Sequence, residues 1–165
     1  MFRLNFLIKF RKSAIVKYEN IKEKINRFYF MKLLKWLILM TNDWRLANFL
    51  MHPRYEHSKE YIVETFWSIT DEQLDNMSKG LLILWSYTKE SIIKRISSGT
   101  FSIILTEWKN RQIRRMVEKV WSRVKRLKRI RIENINLWKL DFWEYKHLSK
   151  GELAELFETL WIKKD

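Results

Sequence analysis

Three Gly and one Pro in 165 residues leave few positions where a chain can turn cheaply. Tight hairpins and phosphate-cradling loops need φ > 0, which Gly supplies without a steric penalty. The scarcity argues against glycine-rich phosphate loops and turn-dense all-β folds, and together with the helical apolar spacing of the chain it predicts an all-α chain. The absence of Cys excludes disulfide frameworks and cysteine-ligated zinc or iron–sulfur sites. A 47% hydrophobic and 15% aromatic composition is enough for one packed core at this length.

Apolar spacing reads as helix almost throughout. Ala14, Tyr18, Ile21, Ile25 and Phe28, then Leu33, Trp36, Leu37 and Met40, predict a long or once-broken helix over 12–40. A short helix over 43–51 ends before Pro53, and another over 58–68 is opened by Ser58. Two helix starts are more strongly specified. Thr70 with Gln73, and Ser149 with Glu152, have capping-box spacing, with Ile69/Leu74 and Leu148/Leu153 as hydrophobic staples. The helix from Thr70 is expected to carry Leu81, Leu84, Trp85, Thr88, Ile92 and Ile96 on one side and to stop at Gly99. Alternation over 130–143 leaves a small β-hairpin open. A connector or helix is favoured there, because no Gly-containing turn separates the two runs. The expected architecture is an irregular helical array over 31–165, preceded over 1–30 by a basic N-terminal arm or an uncleaved presequence-like segment.

Net charge is +14 and unevenly spread. Residues 109–131 hold 11 basic residues and one acid, Glu118. Read as one amphipathic helix over 101–131, this stretch turns Ile113, Val117, Val120, Trp121, Val124 and Leu127 inward. Its other face then carries a one-sign cationic strip. Like charges four residues apart repel, so such a strip calls for a polyanion. Arg supplies seven of the eleven charges, and guanidinium matches phosphate and stacks on bases. The candidate nucleic-acid contacts are Arg111, Arg114, Arg115, Lys119, Arg123, Lys125, Arg126, Lys128, Arg129 and Arg131. Arg3, Lys9, Arg11 and Lys12 of the N-terminal arm join them.

The residues offer no recognisable catalytic or ligand constellation. His52 and His57 straddle Pro53, with Glu60 beyond, and read as loop surface histidines rather than metal ligands. Asp71, Glu72 and Asp75 sit at a helix start, where the macrodipole explains them. No nucleophile elbow, P-loop or dinucleotide fingerprint occurs, so a non-catalytic protein without cofactor is expected. Trp36, Trp85, Trp121 and Trp161 fall on apolar helix faces and read as core. Trp138, Trp143 and Tyr145 read as surface anchors.

The stretches Thr70-Asp-Glu-Gln-Leu through Leu84-Trp85-Ser-Tyr, and Ser149-Lys-Gly-Glu-Leu through Leu160-Trp161, resemble organellar helical-hairpin RNA-binding repeats. The octotricopeptide, heptatricopeptide and FAST-kinase-like families have such helices. The resemblance implies RNA contact in an organelle, and the excess of Phe, Tyr, Met, Ile, Asn and Lys over Gly, Ala, Arg and Pro, which implies an AT-rich coding sequence, points the same way. The expectation is therefore a structural protein of a mitochondrial ribosome in the matrix, organelle-encoded or imported. It would bind rRNA or another structured RNA and pack Trp-rich faces on neighbouring proteins. Two alternatives stand beside it: an accessory subunit of an inner-membrane respiratory or ATP synthase complex, and a small phage or parasite DNA-binding protein. No apolar run reaches the roughly 20 residues of a membrane span, which leaves only peripheral membrane contact open.

Overall fold

β-branched and aromatic residues, rather than turn residues, decide the architecture. The computed structural model describes residues 6–11, 34–41, 44–137, 140 and 145–162. Ten strands and four α-helices occur among them, so the all-α expectation is overturned. The strands are β1 (Phe6–Arg11), β2 (Leu34–Thr41), β3 (Lys59–Thr65), β4 (Leu82–Ile83), β5 (Ser86–Tyr87), β6 (Ile92–Ser97), β7 (Thr100–Leu105), β8 (Val124–Ile132), β9 (Ile135–Asn136) and β10 (Tyr145–His147). The helices are α1 (Trp44–Met51), α2 (Asp71–Ser78), α3 (Gln112–Lys119) and α4 (Lys150–Ile162).

The main sheet runs β10-β1-β2-β8-β3-β7-β6, with β9 folded back on β8. The β2–β8 pairing is parallel, and the other pairings along it are antiparallel. Tyr61 and Val63 of β3, Phe101 and Ile103 of β7, and Leu127 of β8 pack with Leu74 and Met77 of α2 and with Ile113, Met116 and Val117 of α3. A second core joins Leu37 of β2 and Ile132 and Ile135 of β8–β9 to Leu46 and Leu50 of α1 and Leu156 and Leu160 of α4. Each fully buried side chain of this size contributes about 1.5–3 kcal/mol.

The proposed helix over 101–131 is three elements: the end of β7, then α3, then β8. Its helical spacing past Val120 is produced by a bulge. Glu64 pairs with Arg126 and Thr65 with Val124, so Lys125 is the extra residue on β8. A bulge turns Val124 and Leu127, three apart, to the same core, as a helix would. The helix from Thr70 stops at Ser78, and Gly99 serves the turn between β6 and β7. The proposed helix over 58–68 is β3. Of 12–40, residues 34–40 are strand and 12–33 lie outside the described residues. The connector favoured over 130–143 is in its first part a hairpin, with Ile132 opposite Ile135. Residues 138–139 and 141–144 lie outside the described residues. Of the N-terminal arm, only β1 is described.

Turns that Gly would normally make are made without it. Glu56, Leu84, Trp85, Arg111, Trp121 and Glu133 all adopt φ between 47° and 64°. An L-residue there costs roughly 1–2 kcal/mol against Gly. Leu84 and Trp85 fill both central positions of the β4–β5 turn, where Asn-Gly is the favoured pair.

Local helix signals fare better. Thr70 Oγ1 accepts from Gln73 N at 3.2 Å, and Gln73 Oε1 accepts from Thr70 N at 2.8 Å. At α4, Ser149 Oγ accepts from Glu152 N at 3.2 Å, and Glu152 Oε2 accepts from Ser149 N at 2.7 Å. Lys146 Nζ adds a contact to Glu152 Oε1 at 2.8 Å. Burial pushes the Glu152 carboxyl up, but the bonds from Lys146 and Ser149 outweigh it and hold the group below the ordinary carboxylate range. The stabilisation is therefore complete above the unfolded-chain value of about 4.3 and is lost as pH falls through the lower folded value. In Glu152→Gln, the acid-side loss of stability should be shallower than in the wild type. Parallel acid-unfolding curves followed by circular dichroism would contradict this.

Candidate nucleic-acid interface

α3 is amphipathic over only two turns. Gln112, Ile113, Met116 and Val117 are buried, while Glu118 and Lys119 are exposed and Arg114 and Arg115 half-buried. Its entry is locked by the buried Gln112, whose Oε1 accepts from Lys109 N at 3.0 Å and whose Nε2 donates to Glu107 Oε1 at 2.6 Å. Lys109 Nζ ties this entry to the β4–β5 hairpin through Ser86 Oγ, 3.0 Å away, and the Tyr87 carbonyl.

Arg114 lies within the electrostatic reach of Arg111, at the start of α3, and of Arg123, beyond its end. Burial is the largest influence lowering the Arg114 pKa. The charge of Arg111 adds to it, Glu118 opposes, and Arg123 lowers it further. Among the described residues none of the three arginines forms a salt bridge. Arg114 Nη1 donates only to the Val124 carbonyl, at 3.5 Å. Guanidiniums that form no salt bridge, with Glu118 as the one acid acting on Arg114, are candidate contacts for phosphate oxygens, which their planar forks suit. One aromatic ring borders Arg123. Phe66 accepts the Arg123 guanidinium over its ring at 6.0 Å, and Phe66, Trp67, Trp108 and Trp121 are all exposed.

The sequence-proposed contacts divide by element. Arg115 donates from Nε to the Asn110 carbonyl at 3.1 Å. Lys119 stands exposed at the end of α3. Lys125 and Arg126 share Glu64, at 2.8 and 3.6 Å. The pair with Lys125 is the main influence holding the Glu64 carboxyl below its usual range. Lys128 is half-buried on β8. Arg129 donates from Nε to the Leu37 carbonyl at 3.0 Å and contacts Tyr61, so it joins β8 to β2. Arg131 donates to Glu60 Oε2 at 2.9 Å and to the Glu133 carbonyl at 2.7 Å. Thus β8 spends much of its charge inside the sheet. Lys9 and Arg11 lie on β1, and Arg3 and Lys12 lie outside the described residues.

Other expectations change. Trp85 and Trp121, read as core, are 98% and 92% exposed. Trp138 and Trp143 lie outside the described residues, as do the side chains of Trp36, Tyr145 and Trp161. His57, read as a surface histidine, is 2% exposed. Its Nε2 donates to the Phe49 carbonyl at 2.9 Å, and its Nδ1 faces Glu133 Oε1 at 3.1 Å. Among the described residues no group of three or more His, Asp or Glu could hold a metal, and no helix is long and apolar enough to cross a membrane.

The arrangement of sheet and basic helix has close counterparts. Over 124 residues the chain is 38% identical to the dual-specificity RNA pseudouridine synthase RluF of Escherichia coli K12, covering 75% of this chain and 43% of that protein. The chain is similar to bacterial RNA pseudouridine synthases. An uncharacterised RNA pseudouridine synthase of Aquifex aeolicus is 31% identical over 131 residues, covering 77% of this chain and 53% of its own length. Ribosomal large subunit pseudouridine synthase B of Pseudomonas aeruginosa is 32% identical over 133 residues, covering 77% of this chain and 34% of its own. The chain therefore spans about a third to a half of the length of these relatives. The crystal structure of a pseudouridylate synthase superposes with a TM-score of 0.77 over 93% of this chain and 74% of that one, at 15% identity, which establishes the shared fold. No family model matches the sequence.

These likenesses overturn the resemblance to octotricopeptide, heptatricopeptide and FAST-kinase-like repeats, which are helical where this chain mixes helices with a sheet. They also overturn the non-catalytic ribosomal protein and its two alternatives, the inner-membrane accessory subunit and the DNA-binding protein, because the relatives are named as RNA-modifying synthases. The mitochondrial assignment falls too, because the relatives come from bacteria.

Proposed function

We propose that this chain belongs to the machinery of RNA pseudouridylation and grips structured RNA through Arg111, Arg114 and Arg123. The observation that carries the reading is this group of guanidiniums without salt bridges around α3, on a fold shared with a pseudouridylate synthase and in a chain 38% identical to an RNA pseudouridine synthase over 124 residues. Ribosomal RNA is the substrate class the reading favours, since one relative is named for the large ribosomal subunit. A bacterial cytoplasm is the matching location.

The reaction is an isomerisation. The C1′–N1 glycosidic bond of uridine breaks and a C1′–C5 bond forms. The C5 proton leaves and N1 gains one, so no atom or electron is lost overall. The base must leave the stack for its other edge to reach the sugar. Arginines on the flanking phosphates hold the backbone while the base moves, and exposed aromatics offer planes for displaced bases.

Tritium at uridine C5 is released to water when that carbon joins the sugar. Incubating the full chain with C5-tritiated large-subunit rRNA should release tritium above a protein-free control, and Arg114→Gln should reduce the release at least tenfold. Tight RNA binding with no release would refute the catalytic part of the reading. Absence of RNA binding would refute all of it.

A further inference from the structure

A second feature lies at the opposite end of α3 from the Gln112 lock. A cleft of about 340 Å³ opens between the end of α3 and the turn after α2. Leu81 and Val120 give it apolar surface, and Trp121 gives an aromatic one. Lys79 and Lys119 also line it, with the side-chain amide of Asn76. The Gln73 amide is already committed, donating to the Val120 carbonyl at 2.6 Å and accepting from Thr70 N. Asn76 makes no comparable bond. No carboxylate lines the cleft. Lys79 shares an exposed pair with Asp75 at 2.5 Å, whereas Lys119 has no ion pair among the described residues.

Trp85 and Trp121 both combine a left-handed backbone with an almost fully exposed indole, and of the two only Trp121 lines the cleft. Trp121 adopts φ 61° and is 92% exposed, so its indole gains almost no packing in return for a strained backbone. Gly would relieve that strain. A bulky side chain kept at such a position points to use in binding.

We propose that this cleft holds one unstacked nucleotide of single-stranded RNA, its base on the Trp121 indole and its phosphate on Lys119, with Lys79 in support. The proposal rests on the RNA reading above but concerns a site apart from the arginine group. The size sits at the small end of ligand sites, and the two ammonium groups with an aromatic plane fit a nucleotide. An apolar protein segment would leave the Lys119 charge unanswered.

The test uses the full chain and a fluorescein-labelled ten-residue oligouridylate, with anisotropy read between 50 and 200 mM salt. Trp121→Gly should bind about tenfold more weakly, within the range measured for loss of one base–aromatic stack. Its melting temperature should hold or rise as strain is relieved. Trp121→Phe should retain most of the affinity. Lys119→Gln should flatten the salt slope by about 0.7. An Arg114→Gln/Arg123→Gln variant separates the two claims. If it weakens binding while Trp121→Gly and Lys119→Gln do not, the cleft proposal is overturned and the RNA reading stands. If the wild type binds neither oligouridylate nor rRNA, both are overturned. Should Trp121→Gly lower the melting temperature, the strain premise is wrong, and an unchanged salt slope in Lys119→Gln then overturns the proposal.

Discussion

Replacing Arg111, Arg114 and Arg123 together by Gln is expected to weaken binding to a structured rRNA fragment by about three orders of magnitude, at roughly 1.5 kcal/mol for each charge-assisted hydrogen bond lost. The salt dependence should change as well. Each phosphate neutralised contributes about −0.7 to −0.9 to the slope of log K against log salt, so the variant's slope should be shallower by about 2–3. Folding should not suffer. Arg114 is disfavoured in its charged form first by burial and then by Arg111, so neutralising the group removes repulsion. A melting temperature equal to or above the wild type, with binding lost, separates an RNA site from a structural one. A lower melting temperature with unchanged RNA affinity would assign the group to the fold instead.

Glu133→Ala is expected to destabilise the protein by about 2–4 kcal/mol, because it leaves the buried His57 Nδ1 and the Ser58 N–H without their carboxylate partner. Glu133 Oε1 lies 3.1 Å from His57 Nδ1 and accepts from Ser58 N at 2.6 Å. Oε2 accepts from Ser58 Oγ at 3.4 Å, and Glu133 N donates to the Ser58 carbonyl at 2.9 Å. This one side chain therefore ties the end of β8 to the start of β3, and through His57 to the Phe49 carbonyl at α1. The loss is a large share of a typical domain's 5–15 kcal/mol. Equilibrium urea unfolding measures it, and a loss below 1 kcal/mol would show that the pair is not what joins these elements.

What was legible in the sequence follows the range of the interaction. Both capping boxes form between residues three apart, and α1 ends ahead of Pro53, because those signals complete themselves locally. Sheet pairing does not. Tyr61 opposite Arg129 and Leu34 opposite Leu127 join residues far apart in the chain, and no periodicity encodes such partners. A usable signal was overlooked in β6 and β7. Ile92, Ile93, Ile96, Phe101, Ile103 and Ile104 are β-formers around a Ser98-Gly99 turn, which reads as a hairpin. The scarcity of Gly misled because Leu84, Trp85, Arg111, Trp121 and Glu133 take left-handed positions themselves. The basic stretch was visible from composition, yet its use was not. On β8 the bulges send Arg129 and Arg131 into the sheet, whereas Arg111, Arg114 and Arg123 form no salt bridge among the described residues.

The most direct test of the RNA-gripping role is zero-length ultraviolet crosslinking of the full chain to an rRNA fragment, with crosslinked peptides mapped by mass spectrometry. The account predicts that crosslinks concentrate on residues 108–123, with Trp108 and Trp121 among the aromatic sites and Phe66 and Trp67 as neighbours. Crosslinks confined to α4 and β9, with the 108–123 peptide unmodified, would contradict it.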